Sequence, residues 1–166
     1  MNRRTNRCAA FMLTGMMLLG LAIAALPQGS LAQSNPLIGT WKLTVDKSKF
    51  AGPPRERRSI LTYTLDGQNI RATDQLIDAE GNPATAVFMH IYDGTPHPST
   101  GLSVYDASAY TRVDANTIIV SRFKAGKLVG IGTLAVSQDG KTLTNPETGI
   151  RADGQPYDVI LVYEKQ

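Results

Sequence analysis

Thr117-Ile118-Ile119-Val120-Ser121-Arg122-Phe123-Lys124, then Ala125-Gly126, then Lys127-Leu128-Val129-Gly130-Ile131-Gly132-Thr133-Leu134-Ala135-Val136 is the stretch that decides the fold. Two runs rich in β-branched residues, Thr117 to Lys124 and Leu128 to Val136, flank a two-residue breaker. Alternation puts Ile118, Val120 and Arg122 on one face of the first run. That period of two reads as strand, and a short Gly-containing link reads as a hairpin turn.

The same unit recurs along the chain. Trp41, Leu43 and Val45 share one face of the first run, with Thr40, Lys42 and Thr44 opposite. Further runs are Ser59 to Leu65, Asn69 to Ile77, Thr85 to Tyr92, Ser108 to Val113, Lys141 to Asn145 and Tyr157 to Glu164. Between runs lie Asp66-Gly67, Glu80-Gly81, Asp93-Gly94, Asp139-Gly140 and Asp153-Gly154. Asp-Gly tolerates the positive φ angles of tight turns. Counting Gly126, these glycines recur at intervals of 14, 13, 32, 14 and 14 residues. A strand of about ten residues plus a turn gives that rhythm, as in an up-and-down meander. Such a sheet has costly open edges unless it closes. The expected fold is all-β, an antiparallel up-and-down barrel of about 8–10 strands, with a two-sheet sandwich as the alternative. Gly52 to Arg58, Pro-rich and charged, reads as a surface loop.

Asn35-Pro36-Leu37-Ile38-Gly39-Thr40-Trp41 resembles the Gly-x-Trp opening of lipocalins and related calycin barrels. The resemblance implies that the Trp closes one barrel end, with an arginine (Arg112 or Arg122) stacked on it as a plug. Ile38 to Leu43, Lys47-Ser48-Lys49-Phe50 and Val162 to Gln166 are also similar to a group of small exported bacterial lipocalin-like proteins. That likeness implies one barrel domain over residues 33–166. Two family features are missing: a Thr-Asp-Tyr cluster, and the Arg-x-Tyr of fatty-acid-binding proteins, here Leu161-Val162-Tyr163. Asp46 to Arg58 is too rich in Gly and Pro for a helical lid.

The N-terminus reads as a secretory signal peptide, residues 1–32. Arg3, Arg4 and Arg7 precede an apolar or small run from Ala9 to Leu26, and Ser30-Leu31-Ala32 follows a break at Pro27. An uncleaved anchor is the alternative, since the run is near the lower length that spans a bilayer. After cleavage the expected location is periplasmic or secreted. Net charge is +3, and removing those three arginines from 17 basic residues leaves 14, equal to the 14 acids. The basicity therefore argues for no nucleic-acid partner, and for membrane contact only through the signal segment. The one cysteine, Cys8, leaves too, so no disulfide or thiol chemistry is expected.

The expected chemistry is binding. No Gly-x-Ser-x-Gly nucleophile pattern and no phosphate-cradling loop occurs, so neither catalytic residues nor cofactors are assigned. His90 and His97 with Asp93 lack a recognised ligand spacing, so no metal is assigned. Most acids fall in turns, and Asp74 and Asp78, on one strand face, read as solvent-exposed. Surface exposure is expected for Arg112 and Arg122, with Arg122 the better inward candidate. A small barrel is either filled or holds one ligand. If it holds one, the lining is assigned to Trp41, Tyr63, Phe88, His90, Tyr110 and Arg122. The expected activity is monomeric binding of a small hydrophobic or amphipathic molecule. A protein-interaction module or envelope inhibitor, and a small hydrolase or isomerase using His90, stay open as alternatives.

Overall fold

The structure, a computed structural model, describes residues 35–51, 56–78, 80–151 and 153–166. The signal segment expected over residues 1–32, read as a helix ahead of its cleavage site, lies outside them.

Eleven strands follow in order: β1 Gly39–Leu43, β2 Lys49–Phe50, β3 Glu56–Asp66, β4 Asn69–Asp78, β5 Pro83–His90, β6 His97–Pro98, β7 Ala107–Arg112, β8 Thr117–Lys124, β9 Lys127–Val136, β10 Thr142–Ile150 and β11 Pro156–Lys165. A 3-10 turn, Val45–Lys47, takes Val45 out of the first strand. All pairings are antiparallel, in one sheet ordered β5-β4-β3-β1-β11-β10-β9-β8-β7-β6, with β2 on β11. One continuous sheet is an up-and-down barrel, so the sandwich alternative is set aside. The ends of the sheet, β5 and β6, meet at one isolated bridge. There Val87 N donates to Thr100 O at 3.0 Å and Thr100 N donates to Val87 O at 3.1 Å. The barrel is thus nearly closed, with this bridge as its seam.

Gly101 makes the seam sterically feasible. Its φ is +85°, and a Cβ there would stand 1.8 Å from the Thr85 carbonyl oxygen. No other residue allows so close a backbone approach.

Three expectations need correction. β3 begins at Glu56, so the last part of the expected loop is strand, with a bulge between Glu56 and Arg58. β10 does not stop at Asn145 but runs through Pro146 to Ile150. A proline within a strand removes one ladder donor, and the β9–β10 register skips from Thr144↔Ala135 to Glu147↔Gly132. Asn145 Nδ2 donates to Thr133 O at 3.1 Å and fills part of that gap. β5 ends at His90, before Tyr92.

Inward residues alternate as strand geometry requires. One end is packed solid by Leu37, Trp41, Ile70, Ile118, Val120, Val136 and Leu143. Trp41 is fully buried and its Nε1 donates to Leu37 O at 2.8 Å. Neither Arg112 nor Arg122 covers this indole. Lys165 does, with Nζ 5.0 Å from the ring centroid, because β11 ends beside β1.

Candidate functional site

Beyond the packed end the barrel encloses a cavity of about 240 Å³. Tyr63 comes from β3, Asp74 from β4, Phe88 and His90 from β5, Tyr110 from β7, Arg122 from β8, Glu147 from β10 and Tyr163 from β11. Each is inward because it sits in phase with the apolar residues of its own strand. The mouth is bordered by Glu56, Asp78 and the segment Gly101 to Val104. Tyr105, at the end of that segment, also forms a wall of an outer cleft of about 330 Å³ between Val129, Ile150 and Tyr157.

A buried charge network lies across the cavity. Arg122 and Glu147 are 7% and 6% exposed. Arg122 Nε donates to Glu147 Oε2 at 3.4 Å, and Nη1 donates to Ser108 Oγ at 3.0 Å and Tyr110 Oη at 3.3 Å. Ser108 Oγ shares a hydrogen bond with Ser99 Oγ at 2.9 Å. The guanidinium lies 4.6 Å from the Tyr105 ring centroid and 5.5 Å from that of Phe88. Burial opposes its charge, but Tyr105, Tyr110 and Glu147 outweigh burial and hold its pKa well above the usual value. Arg122 is therefore a cation at any ordinary pH. The expectation of surface exposure fails because its partners come from two other strands, β7 and β10.

Glu147 also accepts from Tyr157 Oη at 2.7 Å. The Tyr157 ring reaches it by lying over Gly149 and Gly130, where a Cβ would come within 2.7 Å and 2.6 Å of ring atoms or hydroxyl.

Asp74, expected at the surface, is also corrected. It is 8% exposed and accepts from Ser59 Oγ at 2.7 Å, so it is an interior acid. Burial raises its pKa, against the Ser59 hydrogen bond and the Arg122 charge. Asp78, four residues on, stays at the rim and accepts from Asn82 N at 2.7 Å.

His90 occupies the deep side at 1% exposure. Its ring stacks on Tyr110 with centroids 3.8 Å apart and meets Tyr63 edge-on at 5.3 Å. Burial, with Arg122 and Arg112 nearby, pulls its pKa to about 3. The imidazole is neutral at pH 7, and its Nδ1 has no hydrogen-bond partner. Burial pushes the phenols of Tyr63, Tyr105, Tyr110 and Tyr163 upward, so they remain protonated.

Of the six residues assigned from sequence, Tyr63, Phe88, His90, Tyr110 and Arg122 line the cavity, and Trp41 does not. Trp41 belongs to the packed end. Tyr105, Glu147 and Tyr163 also line it and were not assigned to the lining, and Asp74 was read as exposed. Alternation alone carried the signal for Asp74 and Glu147: each lies in phase with inward neighbours, Asp74 with Ala72 and Glu147 with Leu143. His97 is elsewhere, at the start of β6, its Nε2 2.9 Å from Asp93 Oδ2. Among the described residues, no three His, Cys, Asp or Glu side chains converge as a metal ion would need.

No protein-family model and no curated protein matches the chain. Solved structures do resemble it. Rv2717c from M. tuberculosis is 16% identical with a TM-score of 0.50, covering 79% of this chain and 93% of that one. Zebrafish ileal bile acid-binding protein complexed with cholic acid is 11% identical at TM-score 0.49, covering 79% and 99%. The redesigned barrel mFAP1 bound to DFHBI is 12% identical at TM-score 0.46, covering 78% and 95%. The likeness to Rv2717c is one of fold, the nearly closed antiparallel barrel described above.

Proposed function

We propose that this protein is an exported, monomeric carrier that reversibly buries a small amphipathic molecule in its barrel. The observation that carries the reading is the cavity itself. At about 240 Å³ it is far larger than the voids that packing defects leave in a protein interior. It is walled by aromatic and aliphatic side chains, with Asp74, Arg122, Glu147 and Asn145 as fixed polar points. Apolar walls with a few placed polar groups are the usual composition of a small-molecule site. The volume falls below the common range of about 300–1,000 Å³, which points to a compact ligand. Export rests on the N-terminal sequence, and release at Ala32 would place the barrel in the periplasm or outside the cell.

A protein-binding module is the second reading. The observation favouring it is the seam, where β5 keeps most of its outer edge unpaired. A hydrolase or isomerase using His90 has less support. His90 has no hydrogen-bonded carboxylate, and a pKa of about 3 is far from the range of a base working near neutrality.

Native mass spectrometry of the full chain, expressed with its own N-terminus and purified without detergent, tests the carrier reading. The expected result is a discrete adduct lost on denaturation, on a protein starting at Gln33. A clean mass that stays clean after incubation in lipid and metabolite extract would overturn it.

A further inference from the structure

One stretch of the cavity wall is not strand. Residues 101–105 all border the cavity, and among the described residues none of the five makes a hydrogen bond, by backbone or side chain. Both flanks are pinned. Thr100 is bridged to Val87, and Gly101 lies so close to the Thr85 carbonyl that a Cβ would not fit. On the far side Asp106 N donates to Phe123 O at 2.9 Å, and Asp106 O accepts from Ser99 N at 2.8 Å. The Asp106 carboxylate also accepts from Ala125 N at 3.1 Å. Leu102, Ser103, Val104 and Tyr105 thus hang between two fixed ends.

Tyr105 is what holds them in. It is 7% exposed, whereas Leu102 is half-buried and Ser103 and Val104 are exposed. Its ring packs against the Arg122 guanidinium at 4.6 Å and the Phe88 ring at 6.1 Å. These are contacts of ring faces, with no directed bond to break. Arg122 is held separately by Glu147, Ser108 and Tyr110, so it stays in place when the ring leaves. A segment with no hydrogen bonds and one buried side chain opens at lower free energy than the strands around it. The ring also stands at a partition. Val104 and Tyr105 wall both the inner cavity of about 240 Å³ and the outer cleft of about 330 Å³. With the ring withdrawn the two spaces join, and the volume enters the common range of about 300–1,000 Å³ for ligand sites.

Building on the carrier reading, we infer that residues 101–105 are the lid of the cavity, with the Tyr105 ring as its latch on Arg122 and Phe88. The ligand passes through the outer cleft when the ring swings out, and the ring closes behind it. The compact volume belongs to the shut state.

Two measurements on the full-length protein test this. The first is stopped-flow mixing with N-phenyl-1-naphthylamine, an uncharged probe that brightens in apolar surroundings. The observed rate should level off as probe concentration rises, because opening limits entry. Tyr105→Ala should remove the plateau and raise entry and release together by about tenfold or more, with Kd kept within about threefold. Tyr105→Phe keeps the ring and should keep the plateau. The second measurement needs no ligand. In protein carrying 3-fluorotyrosine, the Tyr105 fluorine signal is assigned by its loss in Tyr105→Phe. It should show microsecond-to-millisecond exchange, and the signals of Tyr63 and Tyr110 should not. A wild-type rate that stays linear in probe, or a Tyr105→Ala that changes release alone, overturns the latch and leaves the carrier reading standing. A Tyr105 fluorine without exchange overturns the latch whether or not the probe binds. Exchange at Tyr105 with no probe bound and a clean native mass supports the lid and overturns the carrier reading.

Discussion

Lowering the pH should destabilise the barrel through His90 in particular. The folded imidazole has a pKa of about 3, against about 6.5 in an unfolded chain. Between these values the unfolded state holds the proton and the folded state does not. Stability is therefore full above about pH 6.5 and declines as pH falls toward 3. From pH 7.5 to pH 5.0 the loss is about 2 kcal/mol, with about 1.4 kcal/mol more for each further unit. Asp74 acts in the opposite sense. Burial raises its folded pKa, so protonation recovers stability as pH falls through that value toward 3.8. Comparing wild type with His90→Phe removes this opposing effect, because Asp74 is present in both. Phenylalanine retains the stack on Tyr110 and cannot take a proton. Urea unfolding of both proteins at pH 7.5, 6.0 and 5.0 should show the wild type losing about 2 kcal/mol relative to the variant by pH 5.0. A difference flat to within about 0.5 kcal/mol, or a His90 imidazole titrating above pH 5 by NMR, would refute the reasoning.

Three other perturbations have clear outcomes. Arg122→Met strands Glu147 in the interior and should cost about 3–5 kcal/mol in chemical denaturation, most of it restored by adding Glu147→Gln. Ala125, the one described non-glycine residue with positive φ, at 48°, should give about 0.5–1 kcal/mol of stability when replaced by Asn, read as a higher melting temperature. Gly101→Ala forces a Cβ into the Thr85 carbonyl, so it should cost about 2 kcal/mol or more and speed hydrogen exchange at the Val87 and Thr100 amides.

Strand existence was legible wherever alternation was strict. Thr117–Lys124 is a strand with the bounds read from sequence, because both ends are marked by turn residues. Proline misleads at Pro146, where the ladder survives because Asn145 donates its side chain to the gap, a compensation visible only once β9 is beside β10. The site was half legible. Tyr63, Phe88, His90 and Tyr110 are large residues in phase with small or aliphatic inward neighbours, so periodicity finds them. Asp74 and Glu147 share that phase but have the chemistry of surface residues. Their burial depends on Ser59 and on Arg122 with Tyr157, contacts that no local window contains. Trp41 was misplaced as lining because position along the barrel axis, unlike face, depends on strand register.

The placement of β1 between β3 and β11 sets a clock. Trp41 is opposite Lys165 in the ladder, and Lys42 opposite Glu164. The first strand thus waits for the last before its second edge is covered. At synthesis rates of about 5–20 residues per second, that wait is roughly 6–25 s. Pairing partners so distant in sequence makes closure a slow event in folding. Trp41 and its neighbours gain their shelter only after β11 has left the ribosome. Protease resistance of stalled nascent chains should accordingly appear only when the C-terminal residues are free, and resistance in chains stalled before Pro156 would contradict it.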